Sequence, residues 1–138
     1  MSYSTAQAVE LVRRALFETP AIQSMVDDRV YTRHLRDEDA STVKMPLVVT
    51  AVRTSPASFS SRWRRREFHI YAYSNSSQDE ARQLYALVQE RLSYACLHEP
   101  HPSAFRVVCT EIDDGMQDWN PQVRAWFVRG VWRVQGGD

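Results

Sequence analysis

The side chains best able to do chemistry in this 138-residue chain fall into four groups. Cys96-Leu97-His98-Glu99-Pro100-His101 puts one thiol and two imidazoles in a short segment, and Cys109 could add a fourth ligand for tetrahedral zinc. The segment leaves a helix and runs into Pro100 and Pro102, without the paired C-x-x-C or H-x-x-x-H spacing of structural zinc sites. It reads more simply as a polar connection, and neither metal nor cofactor is expected. Asp113, Asp114 and Asp118 lack the alternating oxygens of a calcium loop and read as a solvated turn. Glu67 and His69 share one strand face and could form an acid/base pair. A cross-strand ion pair or a subunit contact explains them equally well, and no nucleophile accompanies them. The four glycines build no phosphate cradle, and no serine sits in a nucleophile elbow. No enzyme is expected.

The fourth group is Arg62-Trp63-Arg64-Arg65-Arg66. One reading is a phosphate-binding patch with a stacking aromatic. A second is a solvated hairpin stem. A third is a protruding hairpin whose arginines meet acidic side chains of an adjoining subunit. The formal net charge is zero and the pI about 6.9, which argues against a nucleic-acid coat. Lys44 is the only lysine, and arginine's planar fork suits interfaces. Residues 1–69 carry 11 basic and 8 acidic side chains (+3), and residues 70–138 carry 6 and 9 (−3). Such unevenness suits head-to-tail contacts between copies. The candidate interface set is therefore Arg62, Trp63, Arg64, Arg65 and Arg66, with Arg36, Asp37, Glu38 and Asp39 and the acidic Asp113, Asp114 and Asp118.

The elements that must position these residues follow from periodicity. Ser4 to Gln7 reads as a capping box opening a helix, with Val9, Val12, Ala15 and Leu16 on one stripe and an end near Glu18 before Pro20. Pro20 starts a short helix that Asp27-Asp28 ends, and Arg29-Val30-Tyr31 begins an extended piece. Residues 32–45 are polar and mixed in charge, and Arg36-Asp37-Glu38-Asp39 reads as an exposed loop. Leu47 to Val52 is a buried strand, and Ser55 to Ser61 the tip of a long hairpin. The returning strand, Trp63 to Tyr73, puts Phe68, Ile70 and Ala72 on one face and Glu67, His69, Tyr71 and Tyr73 on the other. Ser77 to Glu80 caps a helix with Ala81, Leu84, Tyr85, Val88, Leu92 and Ala95 at helical spacing. Phe105 to Ile112 and Val123 to Val134 complete the strands. A polar loop is expected from Asp113 to Pro121.

The expected class is α+β: a mostly antiparallel sheet of four to five strands, two main helices on one face, and a projecting hairpin. Length and the absence of a linker suggest one domain, residues 1–138. The composition, 43% hydrophobic and 25% charged, is that of an ordinary globular protein. Two cysteines build no disulfide framework, no secretory leader is expected, and no apolar run reaches membrane-spanning length.

The order of segments resembles the tail completion or tail terminator family of long-tailed phages. The resemblance rests on Pro20-Ala21-Ile22 through Asp28-Arg29-Val30-Tyr31, on Met45-Pro46-Leu47-Val48-Val49, and on Phe68 to Tyr73 followed by the helix from Ser77 to Leu92. Glu111-Ile112-Asp113-Asp114-Gly115 before an aromatic, valine-rich strand completes it. The segment from Arg33 to Lys44 and the run from Arg62 to Arg66 depart from the family pattern. The resemblance implies a non-enzymatic virion protein, assembled in the host cytoplasm, that forms a homohexameric ring at the head-proximal end of the tail. Such a ring ends growth of the tube and joins tail to head. Its implied partners are further copies of itself, the major tail tube protein and the head connector or head-closure protein, with genome DNA passing through the channel without sequence-specific binding and no membrane. The alternatives are another neck or head-closure protein, a nucleic-acid-binding α+β module using Trp63, Tyr71 and Tyr73, or a small enzyme around Glu67 and His69.

Overall fold

The computed structural model describes residues 2–53, 64–98 and 105–137, the side chains of residues 2–4, 64, 114 and 137 aside. In chain order the elements are α1 (Ser2–Phe17), α2 (Pro20–Val26), β1 (Val30–Tyr31), α3 (Asp39–Thr42), β2 (Leu47–Arg53), β3 (Arg64–Ser74), α4 (Gln78–Leu92), β4 (Cys96–His98), β5 (Arg106–Asn120) and β6 (Ala125–Gly137). The strands form one sheet in the order β1-β2-β3-β6-β5-β4.

The helices form where the sequence supplies both a stripe and a start. Ser77 caps α4 by accepting from the Glu80 N–H at 3.1 Å, and Asp79 and Glu80 sit where the helix dipole favours anions. The Glu80 carboxylate accepts from the Ser74 hydroxyl at 2.6 Å, tying the end of β3 to this cap. Ala81, Leu84, Tyr85, Val88 and Leu92 are all buried. On α1 the buried stripe is Ala8, Leu11, Val12, Ala15 and Leu16. Both stripes join Phe68, Ile70 and Ala72 of β3 and Val128, Trp132 and Val134 of β6 in one core on the first face of the sheet. A smaller core on the second face gathers Leu47, Val49, Ala51, Tyr73, Val123, Ala125 and Phe127 under Leu35, Val43 and Met45.

The expected sheet of four to five antiparallel strands is corrected. The sheet is mixed and strongly curled, and four helices rather than two accompany it. The additional strands are short edges. Val30 and Tyr31 pair in parallel with Val48 and Val49. Cys96 to His98 pairs antiparallel with Val108 to Arg106, in place of a polar connection. Neither is long enough to show alternation in sequence. The expected polar loop after Ile112 is instead ladder: β5 runs on to Asn120 against β6, broken by register shifts between Glu111 and Asp113 and between Asp113 and Met116. Bulges move the side-chain alternation from one face to the other, which is why this stretch does not read as strand. The exposed loop expected at Arg36 to Asp39 leads into α3, with Asp39 buried at its start, and α1 begins at Ser2, so Ser4 is inside the helix rather than its cap.

Candidate interface on the open sheet face

The register of the strands fixes which side chains share the second face, because residues paired directly across a sheet point the same way. β2 contributes Leu47, Val49, Ala51 and Arg53, paired with Tyr73, Tyr71, His69 and Glu67 of β3. β6 then contributes Phe127, Arg129, Val131 and Arg133, opposite Tyr73, Tyr71, His69 and Glu67. β5 adds Thr110 opposite Arg133, and Arg106 two pairs further on.

This face has two halves. In the first, Tyr71 stacks on Tyr73 at 5.6 Å between ring centres and both lie against Phe127. Burial pushes the Tyr73 hydroxyl up to about 12. The segment from Tyr31 to Met45 covers this half, pinned by Asp39. The Asp39 carboxylate takes a fork from Arg33 at 2.9 and 3.1 Å and the Arg36 N–H at 2.6 Å. These bonds, Arg33 first, hold the Asp39 carboxyl below its ordinary value.

The second half carries Arg53, Arg65, Arg106, Arg129 and Arg133 against the acidic Glu67 and Asp113. Glu67 accepts from His69 at 2.8 Å and lies 3.8 Å from Arg53. Arg65, Arg106, Arg129 and Arg133 have no side-chain partner among the described residues. Nε of Arg129 is buried and unbonded, an arrangement native proteins seldom leave unanswered.

The sequence-derived candidates scatter. Arg62 and Trp63 lie outside the described residues, and of Arg64 only the backbone is described. Arg65 is exposed on the open face. Arg66 itself does not project, and the hairpin tip expected from Ser55 to Ser61 lies outside the described residues. Arg66 is only 5% exposed, with Nε donating to the Thr5 hydroxyl and Nη1 to the Gly136 carbonyl, both at 3.3 Å. A charge that must be answered when buried is answered here by α1 and β6. Arg36, Asp37 and Glu38 are exposed beside the buried Asp39. Asp113 and Asp118 accept from nearby backbone N–H groups, those of Gly115 and Trp119, and the Asp114 side chain lies outside the description. Glu67 makes a cross-strand ion pair, with Arg53 of β2 at 3.8 Å, and its bond to His69 runs along its own strand.

The thiol-imidazole segment divides between the faces. Cys96 pairs with Val108, so Cys109, the next residue on β5, points the opposite way. Cys109 is buried and its thiol is pushed up to about 12 by that burial, while Cys96 is exposed. Among the described residues no group of three metal-ligating side chains converges. His101 lies outside them.

Sequence reasoning missed Arg106, Arg129 and Arg133. The alternation Arg129-Val131-Arg133-Gln135 was the available signal: every second residue of a strand otherwise apolar on its other side.

No protein-family model matches this chain, and no curated protein does. A chain of a solved structure described as "Virion of native gene transfer agent (GTA) particle" is similar, with a TM-score of 0.73, 16% identity and 94% of each chain covered. At that identity the likeness is one of fold.

Proposed function

We propose that the protein is a structural component of a phage-like virion and, within that class, a tail terminator. In this reading copies form a closed ring, of six, at the head-proximal end of the tail tube, stop its growth, and present a surface to the head connector. The observation that carries the reading is the fold shared over 94% of both chains with a chain from a gene transfer agent virion. The segment order from Pro20 to Tyr31, Met45 to Val49 and Phe68 to Leu92 supports the finer assignment. A face of unanswered arginines suits a protein that completes itself in an assembly.

Negative-stain imaging and light scattering of the purified protein, alone and with purified tail tubes, test the proposal. Rings in solution or seated on tube ends are the expected result. A protein that stays monomeric alone and leaves tubes uncapped would overturn it.

A further inference from the structure

We infer that the arginine half of the open face is one side of a copy-to-copy contact, and that its occupant is a second copy, engaged through exposed acidic side chains that flank β1 in the chain: Asp27 and Asp28 before that strand, Asp37 and Glu38 after it. The inference rests on the ring reading above and names the two surfaces that meet.

Three observations select this occupant. The chain is neutral as a whole. A face with five arginines, Glu67 and Asp113 leaves the compensating negative charge elsewhere on the same molecule, so a second copy is electrostatically complementary by construction. Four acidic side chains stand exposed in the short stretch of chain between the end of α2 and the start of α3. Asp27, Asp28 and Asp37 form no ion pair among the described residues, and Glu38 has only a solvent-exposed contact with Arg36 at 3.8 Å. The arginines are also not set in a solvated lysine-like fringe. Arg129 and Arg133 are half-buried beside Tyr71, Val131 and Thr110, the mixture of arginine, aromatic and apolar surface typical of protein interfaces.

The two surfaces lie on different parts of the sheet. The four acidic residues flank β1 in the chain, and β1 is one edge of the sheet; Arg106 and Arg133 lie on β5 and β6 toward the other. β1 and β5 are separated by four strand spacings, about 19 Å along the sheet. A contact between unlike patches is heterologous and propagates head to tail, closing into a ring when the rotation permits. Nε of Arg129, unbonded within the chain, then gains a carboxylate from the neighbour.

The test uses two charge-reversed full-length proteins: Arg129→Glu with Arg133→Glu, and Asp28→Arg with Asp37→Arg. Each alone should raise the concentration needed for assembly about thirtyfold or more, the scale of breaking a buried charge pair across an interface. Mixed together, the two meet through one native contact and one contact with both charges reversed and still complementary, so the mixture should recover assembly that neither shows alone, with the two proteins in 1:1 ratio, by light scattering. Circular dichroism and thermal melts check folding. If Arg129→Glu misfolds, Arg65→Gln with Arg106→Gln replaces it, both sites being exposed.

If wild type forms rings and both reversed proteins do too, the docking pair is wrong and the ring stands. If wild type never assembles, even on tubes, both readings fall. If a 30-nucleotide DNA binds wild type but not the arginine variant, while assembly is unchanged, the face serves nucleic acid and the copy-to-copy inference is overturned.

Discussion

At one end of the sheet's second face Leu47, Val49, Tyr73 and Phe127 are roofed by Leu35, Val43 and Met45 from the chain's own loop. At the other end Arg65, Arg129 and Arg133 meet no comparable apolar cluster, and no carboxylate answers them among the described residues. β2, β3 and β6 run through both ends; only the side chains change. β6 reads Ala125, Phe127, then Arg129, Val131, Arg133 along one face, passing from core to cation in two residues. An apolar half is stabilised by being covered from within. A cationic half gains only if something outside brings negative charge. In the reading proposed above, the transition from one to the other marks where the chain's own fold ends and its assembly surface begins.

The largest separation between the halves should appear in stability. Phe127→Ala removes a ring packed against Tyr71 and Tyr73 and should cost about 3–5 kcal/mol. Val131→Ala, two residues along the same face, is half-buried and should cost about 1 kcal/mol or less. Denaturant melts of the two variants measure this directly. Equal losses would mean that the bare half is already packed in the single chain.

A smaller effect is expected from the opposite face at the same level of the sheet. Gly130 has no side chain because the Tyr85 hydroxyl occupies that space, where it accepts from Nε1 of Trp132 at 3.0 Å and bonds to Glu111. Gln89 donates to the same carboxylate at 2.9 Å. Gly130→Ala would push Tyr85 from this network, an overpacking cost of about 1–3 kcal/mol. If its melting temperature matches wild type, α4 is not held to the sheet through Tyr85.

How much of this was readable without coordinates depended on periodicity. α4 was legible because Ser77 to Glu80 marks a start and Leu84, Tyr85, Val88 and Leu92 mark a stripe. Phe68, Ile70 and Ala72 against Glu67, His69 and Tyr71 gave both faces of β3. β1 and β4 were not legible, since two or three residues carry no pattern and their strand character comes from the partner ladder. The second half of β5 failed for another reason: its bulges near Ile112 and Gly115 break the alternation while the hydrogen bonding to β6 continues. The arginine run from Arg62 to Arg66 drew notice as a sequence cluster. The fold splits it, burying Arg66 under α1, and builds the real cluster from Arg53, Arg65, Arg106, Arg129 and Arg133, which no linear window contains. The same folding mixes the +3 and −3 halves of the chain.

The cover of the apolar half should depend on pH through Asp39. Its carboxyl is held below the ordinary aspartate value of 3.8 by Arg33, then by the Arg36 N–H. A depressed native value adds stability that is present above the unfolded value and is lost as pH falls through the native one. Melts between pH 7 and pH 2 should show Asp39→Asn less stable than wild type at neutral pH. The gap should narrow only below about pH 3.8. Glu10 is depressed by Arg13 in the same direction, so the comparison is between variant and wild type rather than along one curve. A gap constant across the whole range would show that Asp39 does not hold the cover by its charge.

The smallest effect on the single chain is expected where the effect on assembly is large. Arg65 and Arg106 are exposed, on the bare half, and make no bond to the described residues. Replacing both with glutamine keeps their length and polarity and should change stability by no more than about 0.5 kcal/mol, as for surface sites without partners. Removing two cations from a crowded positive face can even relieve repulsion between Arg106, Arg133 and Arg65. In the proposed assembly the same change removes two charges from the surface assigned to Asp27, Asp28 and Asp37 of the next copy. Capping of purified tubes should then need more protein, and the deficit should shrink at high salt, where wild type loses the same attraction. The comparison between halves breaks if the double variant melts several degrees lower yet caps tubes normally. That pattern would make the arginines part of the fold and leave the contact between copies to some other surface.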